Sequence, residues 1–382
     1  MSFALSRGPR PGERLGLGRK LLRLDWALAL LVFAVASVGF LMLFSVAGGS
    51  LEPWARPQMI RFAAGYFGMI MVALIDLRYW KAVAAPIYCG SLLLLVAVEF
   101  MGTTGMGAQR WIEFGPLRIQ PSEVMKVALA LALAAYYSWL PAEKVSRPFW
   151  MAPPILMILA PVALTLIQPD LGTAILLLAA GAAAMFLAGV SLWYFAAGAA
   201  AAGGAIFLVF SSKGTDWQLI KDYQFRRIET FLDPSQDPLG AGYHITQSTI
   251  ALGSGGFSGR GFMEGTQSRL NFLPEKHTDF IFTTLAEELG FVGAVSLLGL
   301  YALILLFCFA SIAGNRDRFG AILTGALAFN FFLYFAVNVA MVVGLMPVVG
   351  VPLPLVSYGG SAMLVLLFAF GLIQCAHVHR RS

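Results

Sequence analysis

The feature that most constrains this chain is a succession of ten long apolar segments, at residues 24–46, 58–75, 82–100, 122–140, 151–168, 171–188, 191–210, 279–309, 319–345 and 356–376. Crossing about 30 Å of hydrocarbon at about 1.5 Å per residue takes about 20 apolar residues. Backbone groups in lipid must be satisfied within the protein. Segments of this length therefore predict an all-α polytopic membrane protein with ten transmembrane helices. Composition closes off the soluble class, since 59% of the 382 residues are hydrophobic and 12% are charged, against roughly 25% charged in soluble domains. The first segment follows a basic stretch but outlasts the roughly 7–15 residues of a signal-peptide core, so it is expected to remain as an anchor. Cys89, Cys308 and Cys375 all lie inside apolar runs, where cysteine behaves as a small buried hydrophobe. They offer neither a disulfide framework nor a metal spacing.

Loop charge sets the orientation. With a cytoplasmic N-terminus, the inner segments hold 14 Lys and Arg residues, from Arg7 to Arg381, while the short outer loops hold Arg56, Arg110 and Arg118. Both termini are then inside, with residues 1–23 a cytoplasmic basic N-terminus. Residues 211–278 become a large extracytoplasmic loop before helix eight, and 1–382 reads as a single transmembrane domain. In that loop the run Gly253-Ser-Gly-Gly-Phe-Ser-Gly-Arg-Gly261 favours tight irregular backbone over a second folded domain.

Residues that cost free energy in lipid are functional candidates, and they gather in four clusters. In Gln120-Pro-Ser-Glu-Val-Met-Lys126, Pro121 suits a first helical position and Glu123 the first turn, where an anion is favoured. Glu123 and Lys126 share one helix face. They read equally as a self-neutralising couple between helices or as part of a headgroup site. Arg110 and Trp111 read either as interface anchors or as a cation and a flat ring for a sugar diphosphate. In Gln168-Pro-Asp-Leu-Gly-Thr173, Asp170 is a natural N-cap. In Leu273-Pro-Glu-Lys-His-Thr-Asp-Phe280, Pro274 interrupts the loop, Thr278 is a possible cap and Asp279 falls in the first turn of the span. Asp279 is then either a capping acid or a functional one. Glu287 and Glu288 point to different sides of that helix, which must be buried on several faces. In Pro352-Leu-Pro-Leu-Val-Ser-Tyr-Gly-Gly-Ser361, proline and glycine forbid one straight helix. Irregular backbone at membrane depth lines a cavity or is covered by protein, and its hydroxyls can pack helices or meet a ligand. Asn338 can hydrogen-bond across helices. No nucleotide-binding loop is present, so an enzyme here needs a substrate that carries its own leaving group.

Together with Arg110-Trp111, Gly265-Thr-Gln-Ser-Arg-Leu270 and Glu287-Glu-Leu-Gly290, these motifs resemble the SEDS family (shape, elongation, division and sporulation) from about residue 24 to 376. The Gly265–Leu270 run is more similar to the elongation branch than to the division branch. The resemblance implies a peptidoglycan glycosyltransferase of the bacterial inner membrane. Such an enzyme polymerises lipid II into β-1,4 glycan on the outer face, during cell elongation and rod-shape maintenance. It implies a class B penicillin-binding protein as partner, with other elongation-complex membrane proteins. It also implies that Asp279 is required for activity, and that Arg110, Trp111, Glu123 and Lys126 belong to the central cavity or to activity. His277, Ser357, Tyr358 and Ser361 complete the expected substrate-binding set. An α-linked donor and a β-linked product require inversion, which a single displacement provides. Asp279 would act as base toward the acceptor hydroxyl. Arg110, Lys126, loop arginines or a divalent cation (Mg or Mn) would steady the leaving diphosphate; no metal-ligand residues are assigned. The alternatives are a lipid II flippase, a division-branch polymerase and a non-catalytic scaffold.

Overall fold

The computed structural model describes residues 16–380 apart from 106–107, 115–116, 216–217, 219–224, 226–240, 271 and 273–274. The first fifteen residues of the basic N-terminus, most of the loop between 216 and 240, and Leu273 and Pro274 lie outside the described residues.

The described chain is almost wholly helical. Its helices are α1 (Leu17–Leu22), α2 (Trp26–Val46), α3 (Ala55–Leu74), α4 (Leu77–Met101), α5 (Pro121–Trp139), α6 (Pro148–Ile167) and α7 (Leu171–Leu187). They continue as α8 (Leu192–Ser211), α9 (Ala241–Gly255), α10 (Thr266–Arg269), α11 (Ile281–Ala313), α12 (Arg318–Val342) and α13 (Gly360–Val378). Eight of them, α2, α3, α4, α6, α8, α11, α12 and α13, are long and apolar enough to cross a membrane, and α7 is a shorter apolar helix. The molecule is a polytopic membrane protein. Its flanks carry exposed Phe67, Leu93, Phe186 and Trp193, as expected where lipid replaces water. No residue of α8 is buried by the rest of the chain.

Helix α5 packs on α4, α6, α7, α12 and α13, and α12 packs on α5, α7, α11 and α13, so these two form the centre. Alanines at 128, 130, 132 and 134 of α5 are all buried. Small residues allow such close approach, which replaces the hydrophobic drive that lipid removes. Asp25, Asp76, Asp170 and Asp317 each cap a helix by accepting a backbone N–H, which satisfies donors that would otherwise be orphaned.

Two features depart from the expected pattern. Residues 103–119 hold an antiparallel sheet in the order β1 (Thr103–Gly105), β2 (Ala108–Phe114) and β3 (Leu117–Ile119), with Thr103 opposite Trp111 and Ile112 opposite Ile119. β-Branched and aromatic residues suit strands, but runs this short carry little periodicity. The loop before α11 is also less irregular than expected, because Gly253 and Gly255 lie inside helix α9.

Between α12 and α13 the chain is irregular from residue 345 to 359, as the prolines require. This segment lies against α2 at Gly39, where an added Cβ would stand 2.7 Å from the Leu355 carbonyl oxygen. Irregular backbone is thereby covered by protein rather than lipid.

Candidate active site

Two groups of residues meet where the irregular segment crosses the bundle. The first is built on α5. Pro121 opens that helix, and Glu123 and Lys126 follow on one face, both buried. Lys126 Nζ donates to Glu123 Oε1 at 2.7 Å, and both residues hydrogen-bond the Tyr334 hydroxyl of α12. The Lys126 ammonium also lies 4.2 Å from the centre of the Tyr334 ring. A buried pair needs such additional partners to offset its desolvation. The couple therefore ties α5 to α12, and its acid also lines the cleft described below.

Next to it, Asp170 caps α7 by accepting from Thr173 N at 3.2 Å, and also accepts from the Thr173 hydroxyl at 2.9 Å and Gln120 Nε2 at 3.3 Å. Arg110, on β2, donates to the carbonyls of Gln168 (3.4 Å) and Pro169 (2.5 Å) and stands 3.8 Å from Asp170. Its hydrogen bonds thus serve the 168–170 turn and not Asp279. Trp111 follows on the same strand, partly buried, its carbonyl accepting from the Thr103 hydroxyl at 3.4 Å.

The second group is the turn at residues 275–280. Thr278 does not cap α11, because its hydroxyl donates to Glu275 Oε2 at 2.8 Å. Phe280 takes the capping position, so Asp279 sits just before the helix rather than in its first turn. The turn is docked on the irregular segment mainly by backbone. Tyr358 N–H donates to the His277 carbonyl at 2.9 Å, and Ser357 Oγ donates to the Thr278 carbonyl at 2.5 Å. Leu353 N–H donates to Ser357 Oγ at 2.8 Å, so this hydroxyl is spent internally. Asn338 reaches from α12, but to loops rather than helices: its Nδ2 donates to the carbonyls of Asp279 (2.9 Å) and Val351 (2.7 Å). Leu355, in the same segment, has φ +64°. Strained backbone of this kind costs about 1–3 kcal/mol and clusters at functional sites.

Held this way, the Asp279 carboxylate faces Gly350. Burial, and then the negative charge of Glu275, push its pKa up to about 6. His277 is stacked on Trp54 at 4.6 Å, and burial pulls its pKa down, which keeps the ring neutral at pH 7. A cleft opens between the first group and the irregular segment on which the second is docked. Glu123, Asn330 and Tyr334 line one wall, and Pro352, Leu353, Pro354, Leu355, Ser357 and Gly359 line the other. Ala362, Met363, Leu366 and Ala369 continue it as an apolar channel along α13. Ser361 is buried beside it, its hydroxyl without a partner. Among the described residues no group of three or more His, Cys, Asp or Glu side chains could hold a metal ion.

Glu287 and Glu288 are both fully enclosed, as their spacing implied. Glu288 accepts from Ser45 Oγ (2.5 Å) and Met263 N (3.1 Å), and Glu287 accepts from Thr266 Oγ1 (3.0 Å) and Gln267 N (2.9 Å). They anchor the preceding loop. Sequence reasoning missed Gln58, Arg61, Asn330 and Tyr334. Gln58 Nε2 donates to the Ser357 carbonyl at 2.9 Å, and the Arg61 guanidinium lies 5.3 Å from the centre of the Tyr358 ring. The available signal was Arg61 itself, a charge inside the apolar segment 58–75.

Comparison with known proteins adds to this geometry. Residues 22–382 match the profile of the FtsW/RodA/SpoVE family, described as cell cycle proteins. The peptidoglycan glycosyltransferase MrdB of Escherichia coli K12 is 42% identical over 359 residues, covering 94% of each chain. The peptidoglycan glycosyltransferase RodA of Treponema pallidum is 32% identical, covering 92% of this chain and 96% of its own. A chain from a solved peptidoglycan synthase complex, studied for its coordination of polymerization and crosslinking, superposes with a TM-score of 0.80 at 33% identity, covering 93% of this chain and 97% of its own. The rod shape determining protein RodA of Thermus thermophilus superposes at 0.70 with 30% identity, covering 94% of this chain and 98% of its own.

Proposed function

Because this chain belongs to the FtsW/RodA/SpoVE family, we propose that it is a peptidoglycan glycosyltransferase that polymerises lipid II into β-1,4 glycan during cell elongation. The single observation that carries the mechanism is Asp279, a partly buried carboxylate whose pKa is raised to about 6 beside a cleft with an apolar extension. A base whose pKa lies near the working pH is ionised yet still basic enough to take a proton. The acceptor 4-hydroxyl loses its proton to Asp279 as its oxygen attacks C1 of the donor. The bond from C1 to the diphosphate breaks with inversion, and the electron pair leaves on the diphosphate oxygen. Cationic groups of the protein stabilise that charge. The channel along α13 suits the polyprenyl tail.

In this reading the protein crosses the inner membrane ten times, α5 and α7 completing the eight helices above, with both termini cytoplasmic. The end bearing Asp279 and the sheet then faces outward. Lys126, Glu123, His277, Tyr358 and Ser361 contact substrate or shape its pocket, while Arg110 and Trp111 support the rim. A class B penicillin-binding protein docks alongside and crosslinks the product, a reading supported by the neighbouring synthase complex. The test is to supply purified protein with lipid II in detergent. Glycan strands are expected, formed faster when such a partner is added. Transbilayer movement of lipid II in vesicles, with no glycan formed in either setting, would overturn the reading in favour of a flippase.

A further inference from the structure

Arg61 is the seventh residue of α3, about 9 Å along the helix from its start at about 1.5 Å per residue. A charge held inside a membrane helix is costly and marks function. Among the described residues no carboxylate pairs with it, whereas Lys126 is paired with Glu123 and Arg110 with Asp170. The guanidinium instead lies over the Tyr358 ring and against Gly360, where an added Cβ would come 3.5 Å from Cζ. Gly360 is the first residue of α13, and its N-cap, Gly359, supplies no side-chain cap. A helix N-terminus carries a partial positive charge, so here two positive groups adjoin with no anion between them. Gln58 Oε1 accepts from the Gly359 N–H at 3.4 Å, a neutral contact that leaves the positive charge at this helix start without an anion among the described residues. Ser361, the next residue, is 6% exposed and its hydroxyl has no hydrogen-bond partner. A cation, a helix start and an unsatisfied buried hydroxyl together fit an anionic ligand with several oxygens. The same stretch is tied to the Asp279 turn, through the hydrogen bond from Tyr358 N–H to the His277 carbonyl.

We propose that Arg61, with the Gly359–Ser361 start of α13, binds the diphosphate of the lipid-linked donor sugar. The identity of the ligand rests on the glycosyltransferase reading; the anion site does not. Arg61 takes up the charge that develops on the leaving oxygen as the bond to C1 breaks, while Asp279 takes the proton from the acceptor.

The test uses the purified full-length chain in detergent, with farnesyl diphosphate as probe and farnesol and inorganic pyrophosphate as references. Arg61→Gln is expected to weaken farnesyl diphosphate binding tenfold or more and to leave farnesol binding unchanged. Arg61→Lys keeps the charge but loses the two-pronged guanidinium fork, so it should fall between. With lipid II as substrate, kcat/KM should drop in the same order, with kcat lowered as well as KM raised. Unchanged diphosphate binding by a folded Arg61→Gln protein would overturn the proposal. So would unchanged binding by Arg61→Lys if the glutamine variant does not fold, or pyrophosphate binding as tightly as the lipid diphosphate. If the wild type makes no glycan while diphosphate binding still depends on Arg61, the anion site stands and the polymerase reading falls.

Discussion

At the scale of single residues, the proposed chemistry rests on Asp279. Asp279→Asn keeps the side chain's size and leaves the backbone bond from Asn338 intact, so the protein should reach the membrane at its normal level. Loss of a general base typically costs a factor of about 10² to 10⁴, and glycan synthesis should fall by that much. Asp170→Asn is the matched control. Asparagine still caps α7, and glycan synthesis should stay within a few-fold of normal. Equal losses from the two substitutions would make both acids structural. A second expectation follows from the raised pKa. A base must be ionised to act, so under the proposed mechanism kcat/KM should rise with pH through about 6 and then level off. Glu275 contributes to the upward shift, so Glu275→Gln should move the acid limb to lower pH; an unmoved limb would assign it to another group. For folding the sign is opposite. The folded state favours the protonated acid, a contribution fully present below the ordinary value of 3.8 and lost as pH rises through about 6.

Among the elements, α11 shows how a functional turn is held by packing elsewhere. Its third turn breaks at Gly290, which has φ +67° and ψ −163°. The loop after α9 docks at that break through four backbone hydrogen bonds: Arg260 N and Gly261 N to the carbonyls of Glu287 and Glu288, and Phe291 N and Val292 N to those of Gly256 and Phe257. A Cβ at Gly290 would stand 2.2 Å from Gly259 N, too close for any rotamer to relieve. Backbone at this φ costs a residue other than glycine about 1–3 kcal/mol, and the clash adds to it. Gly290→Ala should lower the melting temperature in detergent by several degrees and expose residues 256–270 to protease, with glycan synthesis reduced although Asp279 is intact. Wild-type melting and cleavage would show that the loop does not depend on the kink.

For the whole molecule, orientation decides whether any of this chemistry meets its substrate. The loop-charge bias predicts residue 240 outside and residue 145 inside. Alkaline phosphatase, which folds only outside the cytoplasm, should be active when fused near 240 and inactive when fused near 145. The reverse pattern would put Asp279 on the face away from exported lipid II. Lipid also explains why a sugar-polymerising protein can be built from helices with apolar flanks. The substrate's tail shares the solvent of those flanks, and only the polar head needs a cleft.

Local sequence chemistry was enough to locate the helices, because apolar length in a membrane is a one-dimensional quantity. It also identified the Glu123–Lys126 couple, three residues apart on one helix, and the Asp170 cap, since both are contacts within a single element. It placed Asp279 close to its true position, missing by two residues because Phe280 takes the capping position while Thr278 turns its hydroxyl back to Glu275. What sequence could not supply were contacts between distant parts of the chain. Tyr334 meets Lys126 across 208 positions, and Gln58 reaches the Ser357 carbonyl across 299. Arg61 is an ordinary-looking charge near a helix start until α13 is packed against it. The sheet at 103–119 was hidden for another reason, since strands of three to seven residues are too short to establish a period. Helical spans follow from the chain's own solvent preference, whereas the cleft exists only because α5, α12 and α13 converge on one irregular segment.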